Sequence, residues 1–486
     1  MNFVIQSTFK NSKQFNQAFF TACLTFIFLF HKAGIGLNLA LFSFLIAGHW
    51  FIQKRESFRL NSVRIATLAT IISALSVAWY GTGYTVLWAI ISLAILSEQI
   101  HYPRSSILFS EIKTLLRLVL APLYGLTHLL GFKENQSTEL RQTRFLKVLT
   151  FVILPVTFTF LFATIYKNLN PIFEKAYFRF LNMMDHGLIL TIALGIMVTS
   201  IIFIKAIPSR LLALDRWLSN GFKLQSPVPK NAAVERQGGL ILFALLNSTL
   251  LIFLISDVFF IQDIYNGNTA AHYAQYVHQG VGLLIFSIII AMALILFYFR
   301  NSGNSSLPNN NLLKVLAITW VFLNLGIICT TGAKNLIYVS EYALTLKRIG
   351  VFIYLSLAVA GLSATLVKVF QKKTNAFLFR KLYWAFFAIL ILNSCVDWST
   401  IIVRYNIRQH IENKQELDWY YLLSLDIRTL PHIDTLRNQI VFSSSEEKGK
   451  FTELLNHRRE ELRNYEPEWR DIHMAKAYAK SYYTQP

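Results

Sequence analysis

The sequence predicts an all-α fold: a polytopic transmembrane helical bundle of about eleven spans, followed by a small helical C-terminal outer tail. Three observations lead there. Hydrophobic residues make up 54% of the 486 residues and charged residues only 15%, against roughly 25% charged in soluble domains. Apolar runs near the ~20 residues that a bilayer core requires recur along the chain. The basic residues collect in every second loop between those runs, as orientation in a membrane demands.

The predicted spans are 17–30, 33–52, 64–80, 83–100, 146–166, 187–205, 238–260, 279–299, 312–332, 348–369 and 381–403. Only His31 and Lys32 separate the first two, so these form a tight hairpin. Lys10 and Lys13 precede the first apolar stretch in the manner of a signal peptide, but no small-residue cleavage site follows, so a retained first helix is expected.

Charge sets the direction. Lys54, Arg55, Arg59 and Arg64 follow the second span, Lys205, Arg210 and Arg216 the sixth, and Lys368, Lys372 and Lys373 the tenth. The alternate loop 262–279 has Asp263 and neither Lys nor Arg, and only Ala333–Lys347 is mildly basic on that side. This predicts a cytoplasmic N-terminus and, with an odd count, an extracytoplasmic C-terminus in a bacterial inner membrane. The formal charge of +20 does not point to nucleic acid. Up to Val403 there are 33 Lys/Arg and 13 Asp/Glu, whereas from Arg404 onward there are 13 of each. The whole excess therefore lies among the apolar segments, and the partner it implies is the lipid bilayer.

Residues 105–132 stand apart. Ser110, Lys113, Thr114 and Arg117 share one helical face, opposite Leu108, Ile112, Leu115 and Val119, and Pro122 interrupts the apolar run beyond them. The pattern predicts an amphipathic helix on the cytoplasmic surface, with Lys113 and Arg117 as membrane-surface basic residues meeting anionic headgroups. The domain reading is thus a membrane domain over 1–403, including this helix, and an extracytoplasmic helical tail over 404–486. In the tail, Phe451, Leu454, Leu455 and Leu462 recur on one predicted helical face.

Four pieces stand out from the apolar background: Tyr273-Ala-Gln-Tyr276-Val-His278-Gln-Gly280; Tyr338-Val-Ser-Glu341-Tyr342-Ala343-Leu344-Thr345-Leu-Lys-Arg348; Arg404-Tyr405-Asn406-Ile407; and Leu417-Asp418-Trp-Tyr-Tyr421-Leu422, leading to Leu430-Pro431. On these pieces the chain, after about residue 140, resembles a family of bacterial multi-spanning proteins known as domain of unknown function 4173. The resemblance implies the fold and topology and no activity. In that family the first piece has Arg before its Gly, where this chain has His278-Gln279. The second reads Tyr-Gly-Leu-Thr, where this chain has Ala343, a departure that weighs against a special backbone role at that position.

Charge at membrane depth costs several kcal/mol and usually has a partner or a task. Asp257 and Asp397 lie near predicted outer helix ends. With Tyr276, Glu341, Tyr342, Arg348 and Arg404 they form the candidate outer-face polar cluster. At least two of Glu341, Asp397, Arg348 and Arg404 are expected to form a direct ion pair, beside Tyr276 or Tyr342. His272 and His278 are six apart, which is not the spacing of a helical metal-binding pair, and Cys23, Cys329 and Cys395 form no CxxC, so no metal or other cofactor is expected. Ser356, Ala360, Gly361 and Ala364 read as a helix-packing stripe. No phosphate-binding loop, nucleophile elbow or dinucleotide fingerprint occurs in a supporting context. The functional expectation is a non-enzymatic membrane factor: a sensor, scaffold or envelope-assembly partner. The alternatives are a transporter or channel for a small or amphipathic solute and, further off, a membrane-embedded transferase.

Overall fold

The structure is a computed structural model that describes residues 3–7, 12–102, 106, 110–129, 154–183, 185–208, 213, 232–265, 286–290, 292–299 and 310–484. The expectations for Tyr276, His272, His278 and the loop 301–309 lie outside these residues. The chain divides into two compact units: Met1–Arg216 with Pro467–Met474, and Trp217–Glu466 with Ala475–Pro486.

The first unit contains β1 (Phe3–Ser7), α1 (Ser12–Phe30), α2 (Leu37–Gln53), α3 (Asn61–Tyr80), α4 (Gly83–His101), α5 (Ser110–Leu129), α6 (Leu154–Lys167), α7 (Pro171–Met183), α8 (His186–Phe203) and β2 (Ile204–Pro208). α3 ends at Gly81, whose φ of 59° gives the left-handed cap that a residue without Cβ adopts most easily. α3 and α4 then meet through buried small residues, and the hydroxyls of Ser73 and Ser92 stand 2.6 Å apart. Short side chains allow this close approach, and the hydroxyls satisfy one another away from water. α8 runs antiparallel to α1: Cys23 Sγ lies 3.0 Å from Thr199 Oγ1, and Lys32 pairs with Asp185 at 2.7 Å.

Those contacts place two helix ends. His101 ends α4 beside Ile202, with its Nε2 2.7 Å from the Ile202 carbonyl oxygen, whereas Asp185 starts α8 at the opposite end beside Lys32. His101 and Asp185 thus lie at opposite ends of this unit.

The all-helical expectation gives way at one place. β1 and β2 form an antiparallel pair with Phe3 opposite Pro208 and Ser7 opposite Ile204. Val4 and Ile5 in β1 and Ile204 and Ile207 in β2 are β-branched, and β2 follows directly on the end of α8.

The second unit contains α9 (Ala232–Tyr265), α10 (Asn310–Tyr342), α11 (Leu346–Phe370) and α12 (Asn375–Ser394). The tail follows, with α13 (Trp398–Asn413), α14 (Trp419–Ser424), α15 (Leu430–Leu436), α16 (Ser445–Arg463) and α17 (Met474–Thr484). α9 and α10 are parallel: Phe243 packs on Trp320, Gly326 faces Leu254, and Asp257 meets Lys334. Parallel neighbours need a return crossing between them, and helical residues 286–290 and 292–298 supply it, with Ile288 and Ile295 in the same core. On α11 the close contact is Gly361, buried against Leu382 and Met292, whereas Ser356 of the expected stripe is exposed.

Seven helices among the described residues are long and apolar enough to cross a membrane: Asn61–Tyr80, Gly83–His101, His186–Phe203, Val234–Asp263, Asn311–Tyr342, Leu346–Phe370 and Asn375–Ser394. Leu37–Gln53 and Phe286–Tyr298 are shorter apolar helices. The last predicted span, 381–403, breaks early. α12 stops at Ser394, and Asp397 caps a new helix by accepting the Thr400 N–H at 3.2 Å. An Asp at that position satisfies an orphan donor and starts α13 afresh. The tail is a folded body. Leu422, Leu430, Phe451, Leu455 and Leu462 share one core with Val339, Leu344 and Ile349 from the facing ends of α10 and α11.

Candidate functional site

The turn between α10 and α11 gathers three of the four family-like pieces. Ala343 takes φ 69°, the left-handed conformation that a glycine would hold without strain, so position 343 does have a special backbone role. The chain then doubles back at Leu344. Asn406 Oδ1 accepts the Leu344 N–H at 2.7 Å, and Asn406 Nδ2 donates to the Leu344 carbonyl at 2.9 Å. The Leu346 N–H donates to the Tyr421 hydroxyl at 3.0 Å. Thr345 caps α11 by accepting the Arg348 N–H at 3.4 Å. The Arg348 guanidinium donates to the carbonyls of Tyr342 and Ala343 and lies 4.2 Å from the Tyr338 ring centroid. A cation there meets the carbonyl-rich end of α10.

The expected ion pair among Glu341, Asp397, Arg348 and Arg404 is not formed. Arg348 is spent on backbone carbonyls, and Glu341 is exposed and pairs with none of the described residues. Tyr342 is exposed, and its ring centroid lies 4.8 Å from that of Tyr338 at a tilt of 47°. Asp397 instead pairs with Arg428 at 3.1 Å, and Arg428 also meets Asp426 at 3.0 Å. Burial raises the Asp397 carboxyl, but Arg428 and the Thr400 hydrogen bonds outweigh it and hold the group below the usual carboxylate range. Arg404 sits 3.4 Å from the His432 ring nitrogens, and burial together with that guanidinium lowers the His432 pKa. Asp257 pairs with Lys334 at 2.7 Å inside the α9–α10 contact.

Asn406 and Tyr421 lay within the singled-out pieces, but neutral polar side chains give no charge signal. Arg428 was indistinguishable from the other balanced charges of the tail.

A second constellation reverses the reading of α5. Lys113 and Arg117 are fully buried. Lys113 Nζ lies 3.4 Å from Glu98 Oε1, and Arg117 lies 3.3 Å from Glu98 Oε2. The helix does carry a polar and an apolar face, but the polar one turns inward and Ile112, Leu115 and Leu118 are exposed. The cause is Glu98, a carboxylate with no exposure at the end of α4, which draws both cations away from the headgroups.

In the third, the segment Pro467–Met474 lies along the α1–α2 turn. Arg470 donates to the carbonyls of Phe28 at 2.8 Å and His31 at 3.1 Å, and the Arg470 carbonyl accepts the Asn38 N–H at 2.6 Å. Asp471 accepts the Gly34 N–H at 3.0 Å, and His473 Nε2 lies 2.8 Å from the Ile35 carbonyl oxygen. A Cβ on Gly36 would stand 2.5 Å from the Asp471 carbonyl oxygen, and one on Gly81 would stand 2.0 Å from the His473 ring. The fit leaves room only for hydrogen at both places.

Among the described residues no three His, Cys, Asp or Glu side chains gather closely enough to hold a metal ion. Chemically, the joint of Ala343, Asn406, Tyr421 and Arg348 is a fastening in which polar groups satisfy backbone.

No curated protein and no solved structure matches the chain. The family model described as "Domain of unknown function (DUF4153)" matches residues 39–436. That span takes in Asn406, Tyr421 and the α10–α11 turn, and the chain therefore belongs to the family of domain of unknown function 4153, in place of the 4173 family that its motif pieces suggested.

Proposed function

We propose that this is a non-enzymatic factor of a bacterial cytoplasmic membrane, crossing it about eleven times with the N-terminus inside and the folded tail outside. One observation carries the reading. The residues of the three gathered pieces are engaged in fastening the tail to the ends of α10 and α11, where a catalyst would aim them at a substrate. A rigidly docked tail suits a scaffold or assembly partner that presents one surface in a fixed pose. The crossing count is supported by the position of His101 and Asp185 at opposite ends of the first unit, by the return pass between α9 and α10, and by loop charge.

A reporter pair tests the orientation: alkaline phosphatase fused after residue 486 is active, and a fluorescent protein fused there is dark. The reverse result removes the odd count. A photo-crosslinking residue at exposed Tyr420 or Val441 tests the role. It yields a discrete protein adduct in cells, and the adduct is lost when Asn406→Ala frees the tail; no adduct at any exposed tail position rejects the scaffold reading.

The Asp257–Lys334 pair, set between two parallel spans, favours a second reading, a transporter for a small solute. In reconstituted vesicles that reading requires solute flux that Asp257→Asn abolishes.

A further inference from the structure

The turn between α2 and α3 carries charge that neither the joint nor the buried clusters use. Lys54, Arg55, Arg59 and Arg64 stand there against the single acid Glu56. Arg55, Arg59 and Arg64 are exposed and Lys54 is half-buried. Among the described residues none of the four forms an ion pair, although Glu56 lies in the same turn. The backbone that presents them is well fastened. Ser57–Arg59 is a single 3-10 turn, in which the Ser57 N–H donates to the Lys54 carbonyl at 2.8 Å and the Leu60 N–H to the Ser57 carbonyl at 3.1 Å. Phe58 meets Phe51 edge-on with ring centroids 5.2 Å apart, and Arg64 Nε donates to the Phe58 carbonyl at 2.8 Å. Cations set on a fixed backbone, with no carboxylate of their own, are open to an anion from outside the chain.

The surface around them says which anion. α3 has membrane-crossing length and composition, and its two sides separate. At ~100° per residue, Leu75, Leu68 and Trp79 lie about 20°, 40° and 60° round the helix from Arg64. All three are exposed, as is Arg64. Val63, Ala66, Thr70, Ser73 and Val77 lie about 180–260° round from it, and all five are buried. Arg64 therefore heads the stripe that Leu68 and Leu75 continue. Trp79 closes it near the far end, at the level where the indoles of spanning helices collect. Phe51, Ile52 and Leu60 add exposed apolar surface beside the four cations. A soluble acidic partner would leave the apolar stripe uncovered. A phospholipid meets both parts, with its acyl chain on the stripe and its phosphate among the cations.

We propose that the α2–α3 turn is a binding site for an anionic phospholipid in the leaflet at that end of the first unit. The headgroup phosphate sits among Lys54, Arg55, Arg59 and Arg64, and an acyl chain runs along α3 over Leu68. This rests on the reading of the chain as membrane-embedded, and the test separates the two. A bimane label is placed singly at Leu68→Cys and at Leu190→Cys, the latter exposed on α8 towards the Asp185 end. The background is Cys329→Ser and Cys395→Ser, since Cys23 is buried. The whole protein is reconstituted in vesicles of equal parts phosphatidylcholine and phosphatidylglycerol. Bromine is carried on the acyl chains of one lipid or the other, and quenching by the two is compared.

At 68 the association constant drawn from quenching should be at least roughly threefold higher for phosphatidylglycerol than for phosphatidylcholine, with no such preference at 190. Arg59→Gln with Arg64→Gln should remove the preference at 68, while quenching by brominated phosphatidylcholine persists and shows the variant to be folded in the bilayer. Should that variant fail to fold, raised salt does the same work on the wild type, because it screens exposed cations. Equal quenching at 68 by both lipids overturns the proposal and leaves the membrane reading standing, with the cations open to an acidic protein instead. A preference that survives both the double variant and raised salt, or one that is as strong at 190, overturns it too. If neither brominated lipid quenches 68, the membrane reading falls, and this proposal with it.

Discussion

Asn406 holds the backbone of Leu344 from both sides, accepting its N–H at 2.7 Å and donating to its carbonyl at 2.9 Å across 62 residues of sequence. Leu344 is buried, so neither backbone group has water to turn to when the amide is removed. Asn406→Ala should cost about 2–4 kcal/mol, the penalty of leaving one buried donor and one acceptor unmet. Limited trypsin digestion in membranes should cut the tail much faster in the variant, and Asn406→Asp, which keeps the acceptor alone, should fall between. Equal digestion rates would show that Leu344 is held by something else.

Ala343 occupies a left-handed turn at φ 69°. An L-residue there costs about 1–2 kcal/mol of local strain, partly offset by the greater freedom of glycine when unfolded. Ala343→Gly should therefore stabilise the protein by about 0.5–1 kcal/mol, and Ala343→Val should destabilise it. Thermal unfolding in detergent gives the order directly, with Gly above Ala above Val.

His432 has a folded pKa held below its ordinary value by burial and by Arg404, against a smaller opposing effect of Asp397. Its contribution to stability is complete above the unfolded pKa of roughly 6.5 and is lost as pH falls from there toward the lowered folded value. Asp397, also depressed, adds a loss of the same sign at more acid pH, below its unfolded value and down through its folded one. Tail unfolding followed by protease should accelerate as pH falls from 7 to 5, and His432→Gln should flatten that part of the profile while leaving the more acid limb.

Glu98 is fully buried between Lys113 and Arg117. Glu98→Gln should destabilise the first unit by about 3–5 kcal/mol, because both cations stay buried without its charge. Adding Arg117→Met should recover part of the loss. The yield of monodisperse protein after detergent extraction, with its thermal midpoint, measures both effects, and no recovery in the double variant would mean that Arg117 has another buried anion.

How much of this was legible in the sequence differs from element to element. The bounds of α3, α4, α8 and α11 follow from apolar length and from Gly81, Asp185 and Thr345 at their ends, all local signals. Lys113 and Arg117 share the face that their spacing predicts. Whether that face points to lipid headgroups or inward depends on Glu98, fifteen and nineteen residues away, and spacing carries no such information. The joint was half visible. Three of its pieces stand out from the apolar background, yet Asn406 and Tyr421 act through hydrogen bonds to backbone, and which backbone they meet is decided by tertiary packing. The β1–β2 pair is not legible, because five residues are too few to show a period of two.

Gly36→Ala should displace the tail segment from the α1–α2 turn, since its Cβ would stand 2.5 Å from the Asp471 carbonyl oxygen. Trypsin should then cut after Arg470 in folded protein, where the wild type resists. If both are equally resistant, the segment shifts without leaving.

The same segment sets an order of assembly. The α1–α2 turn leaves the ribosome well before its partner segment: the Gly34 N–H waits for Asp471, 437 residues later. At roughly 5–20 residues per second that interval is on the order of tens of seconds. Throughout it, the N–H groups of Leu37 and Asn38 lack the carbonyls of Ile472 and Arg470 that finish the start of α2. A hairpin made early is completed late, so a nascent chain halted between α2 and Arg470 carries an unfinished turn with backbone donors still open.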